Sequence, residues 1–169
     1  MNLPAPSPEA SAHSLTLVAA IAREIGAGGG WISFARFMEM ALYQPGLGYY
    51  SAGARKFGAA GDFVTAPEMT AYFGRALARQ VAQVMTVSAP HVLEVGAGSG
   101  RLAADLLLEL ERLDALPERY EILDLSADLR ERQQATLAAA APHLLARVRW
   151  LDRLPETFSG AVVANELLD

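Results

Sequence analysis

The stretch VLEVGAGSGRLAADLLLEL, residues 92–110, constrains the fold of this chain more than any other. A short apolar run from Val92 to Val95 ends in Gly96-Ala97-Gly98-Ser99-Gly100, and the helically spaced row Leu102, Leu106, Leu110, Leu113 follows at once. Strand, glycine loop and helix in that order open a βαβ unit, the one setting in which a glycine-rich loop carries information. Gly96 permits the tight turn, Gly98 lets the backbone approach a ligand, and N–H groups at the helix start can face an anionic group. Packing alone explains three glycines at this spacing poorly.

The rest of the chain after Pro90 repeats the alternation of short apolar runs and amphipathic helices that marks a parallel α/β sheet. Strands are expected at 92–96, 120–125, 148–152 and 160–166, with helices at 101–113 and 129–141 and Ser126 as N-cap of the second. The sequence stops at Asp169 directly after the fourth strand, where a doubly wound domain needs further elements. Residues 90–169 therefore read as the first half of such a domain. Its free sheet edge is an association hazard, and a homodimer is one arrangement that would cover it.

Upstream, residues 1–13 are rich in Pro, Ala and Ser and are expected to be disordered, while 14–89 form a helical extension. A helix over 14–26 carries the stripe Leu17, Ile21, Ile25 and is stopped by the glycines of 26–30; a second spans 33–43. The segment 44–63 is an ordered, glycine-punctuated loop in which Tyr49, Tyr50 and Phe57 serve as anchors. Thr65-Ala66-Pro67-Glu68 has capping-box spacing, which predicts a helix to about Met85 with the stripe Met69, Phe73, Leu77, Val81, Val84.

Composition excludes several classes. With 14 basic against 19 acidic residues the net charge is -5, which argues against a nucleic-acid partner. There is no cysteine, hence no disulfide or thiolate metal site, and His13, His91 and His143 lack ligand spacing, so no metal is expected. The apolar run from Leu15 to Ala22 is too short to span a membrane, and with no basic leader the chain reads as cytoplasmic. No G-K-[ST] follows the glycines, and Arg101 stands where a dinucleotide fingerprint needs its third glycine.

Glu94-Val95-Gly96-Ala97-Gly98-Ser99-Gly100 instead resembles motif I, E-x-G-x-G-x-G, of the Rossmann-like class I methyltransferases. The resemblance implies S-adenosylmethionine as cofactor, S-adenosylhomocysteine as product, and Glu94, Gly96, Ala97, Gly98 and Gly100 as the residues against it. Asp124, ending the second strand, suits an acceptor for both ribose hydroxyls; the alternative is an ordinary strand-end acid before a capped helix. Asp152, ending the third, either receives the adenine amino group or is a plain turn residue.

A wider resemblance rests on FMEMALYQPGLGYYS, GDFVTAPEMTAYFG, LEVGAGSGRLAADLL, YEILDLSADLRERQ and VVANELLD, in that order. From about Ile32 to Asp169 the chain is similar to the family of bacterial and mitochondrial methyltransferases that takes in MidA and the arginine methyltransferase assisting respiratory complex I assembly. Asp124 is a departure, since the family more often has glutamate there. The resemblance implies that GDFVTAPE closes over the site, making Asp62 and Thr65 contact candidates, with a turn former and a capping box as the respective alternatives. It also places Asn165 and Glu166 where a transferable methyl group would point, as catalytic candidates. Glu166 could orient the guanidinium of a protein arginine through paired hydrogen bonds, or it could be the first-turn acid of a following helix. The implied activity is protein arginine N-methylation connected with respiratory complex assembly. The competing readings are a noncatalytic assembly factor that keeps the fold and a dinucleotide-binding oxidoreductase.

Overall fold

Two serines start the helices of the first of two units, Met1–Ala54, in a computed structural model that describes residues 5–52 and 64–167. Ser7 accepts from the Ala10 N–H at 3.1 Å, so α1 (Pro8–Ala27) begins at Pro8 and not at Ser14. The serine and proline that suggest disorder by composition are here the cap and the first turn. Residues 8–13 are accordingly helical. Ser33 caps α2 (Phe34–Tyr43) in the same way, and the Arg36 Nε donates to Glu24 of α1 at 2.8 Å, joining the two helices. The chain then doubles back, with Tyr49 and Tyr50 N–H donating to the carbonyls of Ala41 and Leu42. His13 Nε2 donates to the Leu47 carbonyl at 2.8 Å, which accounts for that histidine. The glycine-punctuated segment from 53 to 63, with Gly53, Phe57, Gly58, Gly61 and Asp62, lies outside the described residues.

The second unit, Arg55–Asp169, holds the sheet. Its first helical stretch is broken into α3 (Ala66–Met69) and α4 (Ala71–Thr86) by Thr70, whose backbone is extended and whose hydroxyl accepts from the Tyr72 N–H. The expected capping box is not formed: Thr65 makes no side-chain cap bond, and Glu68 receives the Ser99 hydroxyl instead. Past the break α4 buries Gly74, Ala78 and Val81, with Phe73 and Leu77 of the expected stripe packed against the core, while Met69 and Val84 at its two ends are exposed.

Four parallel strands follow in the spatial order β3-β2-β1-β4: β1 (His91–Val95), β2 (Arg119–Leu123), β3 (Val148–Leu151) and β4 (Ala161–Ala164). The crossovers are α5 (Arg101–Arg112), then α6 (Ala127–Ala140) with a 3₁₀ segment (Pro142–Arg147). Leu102, Leu106, Leu107 and Leu110 of α5 pack with Val92, Tyr120, Ile122 and Leu137 in the core. Each such leucine contributes roughly 1.5–3 kcal/mol of burial. Gly74 lets α4 lie close on α5, where a Cβ would come within 2.7 Å of the Asp105 Cβ. Ser126 caps α6 as expected, accepting from Leu129 N–H at 3.2 Å. The strands end a residue or two earlier than expected. Gly96 shows why: its φ of 72° turns the chain out of β1.

Candidate functional site

Chain order reverses at β1, which has β2 on one side and β4 on the other. Such switch points open a crevice at the carboxyl ends of the strands, the usual ligand site of parallel α/β sheets. The three strands finish level, with Val95 opposite both Leu123 and Ala164. The next residues along are Gly96, Asp124 and Asn165, so the register alone gathers three of the expected site residues. Gly96 N–H donates to the Leu123 carbonyl at 2.9 Å. A Cβ on Gly96 would fall 2.8 Å from Leu167, one residue past Glu166.

The loop itself is left-handed at all three glycines, with φ of 72°, 54° and 81° at Gly96, Gly98 and Gly100. Gly100 is the N-cap of α5 and lies against α6, where a Cβ would come within 2.9 Å of the Gln133 Cα. Gly100→Ala should therefore lower stability by about 1–2 kcal/mol from its left-handed backbone alone. Backbone, and not a flexible side chain, stands in the way of the new methyl, so the loss should exceed that figure. A denaturant midpoint unchanged from the parent protein would contradict this.

Asp124 lies just beyond β2 and is buried. Its Oδ1 accepts from the Ser126 N–H at 3.1 Å and its Oδ2 from Gln133 Nε2 at 2.8 Å. Burial raises its pKa, opposed by those hydrogen bonds and by the Arg130 charge. Arg130 spans two strand ends: its Nε donates to the Asp124 carbonyl at 2.7 Å, and its terminal nitrogens to Asp152 and the Leu151 carbonyl. Asp152 is thus an exposed partner of Arg130 at the end of β3.

Glu94 of β1 is 2% exposed and accepts from the Tyr120 hydroxyl at 2.7 Å. Loss of solvent, and then the neighbouring Asp124 charge, push its carboxyl up to about 7 against the Tyr120 hydrogen bond. The same burial, with Glu94 alongside, holds the Tyr120 phenol well above its ordinary value. Ala97 is buried within the loop. Ser99 hydroxyl donates to Glu68, and its carbonyl accepts from Thr136 at 2.8 Å, so the TAPE segment and α6 both grip the loop.

Asn165 and Glu166 follow β4. Glu166 is exposed with φ of 50°, a left-handed conformation that among the described non-glycine residues only Asp114 shares. At Glu166 itself the backbone is therefore not helical. Thr65 precedes α3, and Asp62 lies outside the described residues. Gln133, Thr136, Arg130 and Tyr120 were not expected from sequence. A signal for Gln133 exists: it is the polar member of the i, i+4, i+8 row Leu129, Gln133, Leu137, all three buried on α6.

These residues fit an adenosyl cofactor. A left-handed glycine loop leaves backbone open at the crevice, and a buried carboxylate held by backbone and side-chain donors keeps acceptor capacity for hydroxyl groups. No phosphate-binding lysine stands at the loop, and position 101 is arginine.

The family model "Putative S-adenosyl-L-methionine-dependent methyltransferase" matches residues 75–169. The protein arginine methyltransferase NDUFAF7, mitochondrial, of Danio rerio is 39% identical over 88 residues, covering 50% of this chain and 21% of that protein. Its Mus musculus counterpart is 32% identical over 117 residues, covering 64% and 27%. A superfamily member from Burkholderia thailandensis, whose crystal structure is bound to S-adenosyl-homocysteine, superposes with a TM-score of 0.89 at 54% identity. That superposition covers 99% of this chain and 45% of the other. The chain thus spans under half of that solved relative and about a quarter of the mouse protein. The fold is that of a methyltransferase-like α/β sheet with a helical N-terminal region, and the chain belongs to this S-adenosyl-L-methionine-dependent methyltransferase family.

Proposed function

We propose that this chain carries the cofactor-binding part of an S-adenosylmethionine-dependent methyltransferase that acts on arginine side chains of a protein, in the cytoplasm. The observation that carries the reading is the left-handed glycine loop beside buried Asp124 at the switch point of the sheet. The relatives named as protein arginine methyltransferases support the acceptor. Among the described residues no helix is long and apolar enough to cross a membrane.

When bound, S-adenosylmethionine supplies a methyl group already activated by the positive sulfur that carries it. What remains for the protein is alignment, which in favourable cases lowers a barrier by roughly 7–11 kcal/mol. In this reading Asp124 would hold the ribose through its hydroxyls, and the loop from Gly96 to Gly100 would hold the methionine part. Glu166 holds the planar guanidinium by paired charge-assisted hydrogen bonds, and Asn165 assists at the same strand end. Because guanidinium is protonated in water, Glu166 also offsets its charge while a nitrogen is oriented for transfer.

Calorimetric titration of the full-length protein with S-adenosylhomocysteine, using NAD as control, tests the reading. Binding of the first and not the second is expected. A folded protein that binds neither would favour a noncatalytic assembly factor, and one that binds NAD a dinucleotide oxidoreductase.

A further inference from the structure

Gln133 is an amide where α6 otherwise turns leucines inward, and it is fully buried between Leu129 and Leu137 of the same row. A buried amide destabilises a fold unless both of its ends find partners. Both do. Trp150 Nε1 of β3 donates to Gln133 Oε1 at 3.0 Å, and Gln133 Nε2 donates to the Gly98 carbonyl at 3.1 Å and to Asp124 Oδ2 at 2.8 Å. An indole N–H can only donate, so the amide oxygen must face Trp150. Both N–H bonds are then directed at the glycine loop and the acid at the end of β2. One side chain ties together three segments of the site, and the amide has a single orientation that satisfies all of them.

The consequence for Asp124 is geometric. A carboxylate on a short side chain turns freely about its Cβ–Cγ bond unless both oxygens are held. Here Oδ1 is held by the Ser126 N–H and Oδ2 by Gln133. The Leu125 N–H adds a further backbone hydrogen bond, so the carboxylate is fixed in direction, and with about four acceptor positions it keeps acceptor capacity for a ligand. Gly98 is held by the same amide, and its neighbour Ser99 by Thr136 one turn further along α6.

We infer that Gln133 is a positioning residue for cofactor recognition: by fixing the Asp124 carboxylate and the Gly98 carbonyl it sets how strongly the site discriminates a ribose from a deoxyribose. The inference rests on the proposed reading of this site as one for an adenosyl cofactor. A purely structural glutamine would, when replaced, lower stability and weaken all ligands alike. A positioning glutamine changes the ratio between two ligands that differ by one hydroxyl.

The test is calorimetric affinity of the full-length protein for S-adenosylhomocysteine and for its 2′-deoxyribose analogue, in the parent protein, Gln133→Met and Trp150→Phe. The parent should favour the ribose form by about tenfold or more, the worth of a hydrogen bond to a charged acceptor. Gln133→Met, shown to be folded by a cooperative melt, should bring that ratio to within about threefold. Trp150→Phe removes the donor that orients the amide and should move the ratio the same way. A folded Gln133→Met with the parent ratio overturns the inference; should that variant not fold, the ratio in Trp150→Phe decides in the same sense. A parent protein that binds neither ligand overturns the methyltransferase reading and this inference with it. A parent that binds both equally overturns this inference alone.

Discussion

In a Glu166→Gln variant of the full-length protein, methyl transfer to an arginine peptide should fall about a hundredfold or more, while affinity for S-adenosylhomocysteine stays within about twofold. The figure is the loss of a charge-assisted pair of hydrogen bonds to a guanidinium, which glutamine replaces with one acceptor and a misplaced donor. The backbone supplies an independent reason to expect a role there. Glu166 sits at φ 50°, a conformation that costs a side-chain-bearing residue about 1–2 kcal/mol relative to glycine. Strained residues of this kind persist where the surroundings hold them and cluster at ligand sites. Glu166→Gly should therefore raise stability by about 1 kcal/mol while losing transfer as Glu166→Gln does. Equal loss of transfer and cofactor affinity in Glu166→Gln would make this a cofactor or folding residue. Unchanged transfer would remove it from the site.

Most of the sheet was legible because its cues are local. VLEVG, YEILDL, VRWLD and GAVVANE are short apolar runs with helices between, and each became a strand within a residue or two. Ser126 capped α6 because an N-cap acts within three residues of itself. Where local cues failed, a distant contact had won. Thr65 and Glu68 have capping-box spacing, yet the Ser99 hydroxyl, far along the chain, takes Glu68, and Thr70 caps the following helix. The proline and serine of the first residues have the composition of a disordered segment and the positions of a helix start, and position decided. The candidate site was legible where it lies on strand ends and illegible where α6 braces it. Gly96, Asp124 and Asn165 follow from register, whereas Arg130, Gln133 and Thr136 matter through partners on β2, β3 and the loop that spacing along α6 does not disclose.

Glu94→Gln should stabilise the protein at pH 8 and leave it unchanged at pH 4. Glu94 is buried beside the Asp124 carboxylate, accepts a hydrogen bond from Tyr120, and has a pKa in the fold of about 7 against an ordinary 4.5. An acid whose pKa is raised by folding binds its proton more tightly in the native state. Its contribution to stability is present below pH 4.5 and is lost as pH rises towards and through 7. The total is about 3 kcal/mol, at 1.36 kcal/mol for each unit of pKa. Glutamine keeps an acceptor for Tyr120 and carries no charge, so urea unfolding should show the variant gaining on the parent from pH 4.5 to 7 and level beyond. Parallel curves would contradict the shift. A carboxylate that weakens the fold at neutral pH makes physical sense where a positive ligand arrives to offset it, and S-adenosylmethionine is cationic at both its amine and its sulfur. In the proposed site the more stable Glu94→Gln protein should then bind S-adenosylmethionine less well above pH 7, and parent affinity should rise with pH as Glu94 ionises. Gain of stability with undiminished affinity would instead make Glu94 a buried acid of the core with no part in cofactor binding.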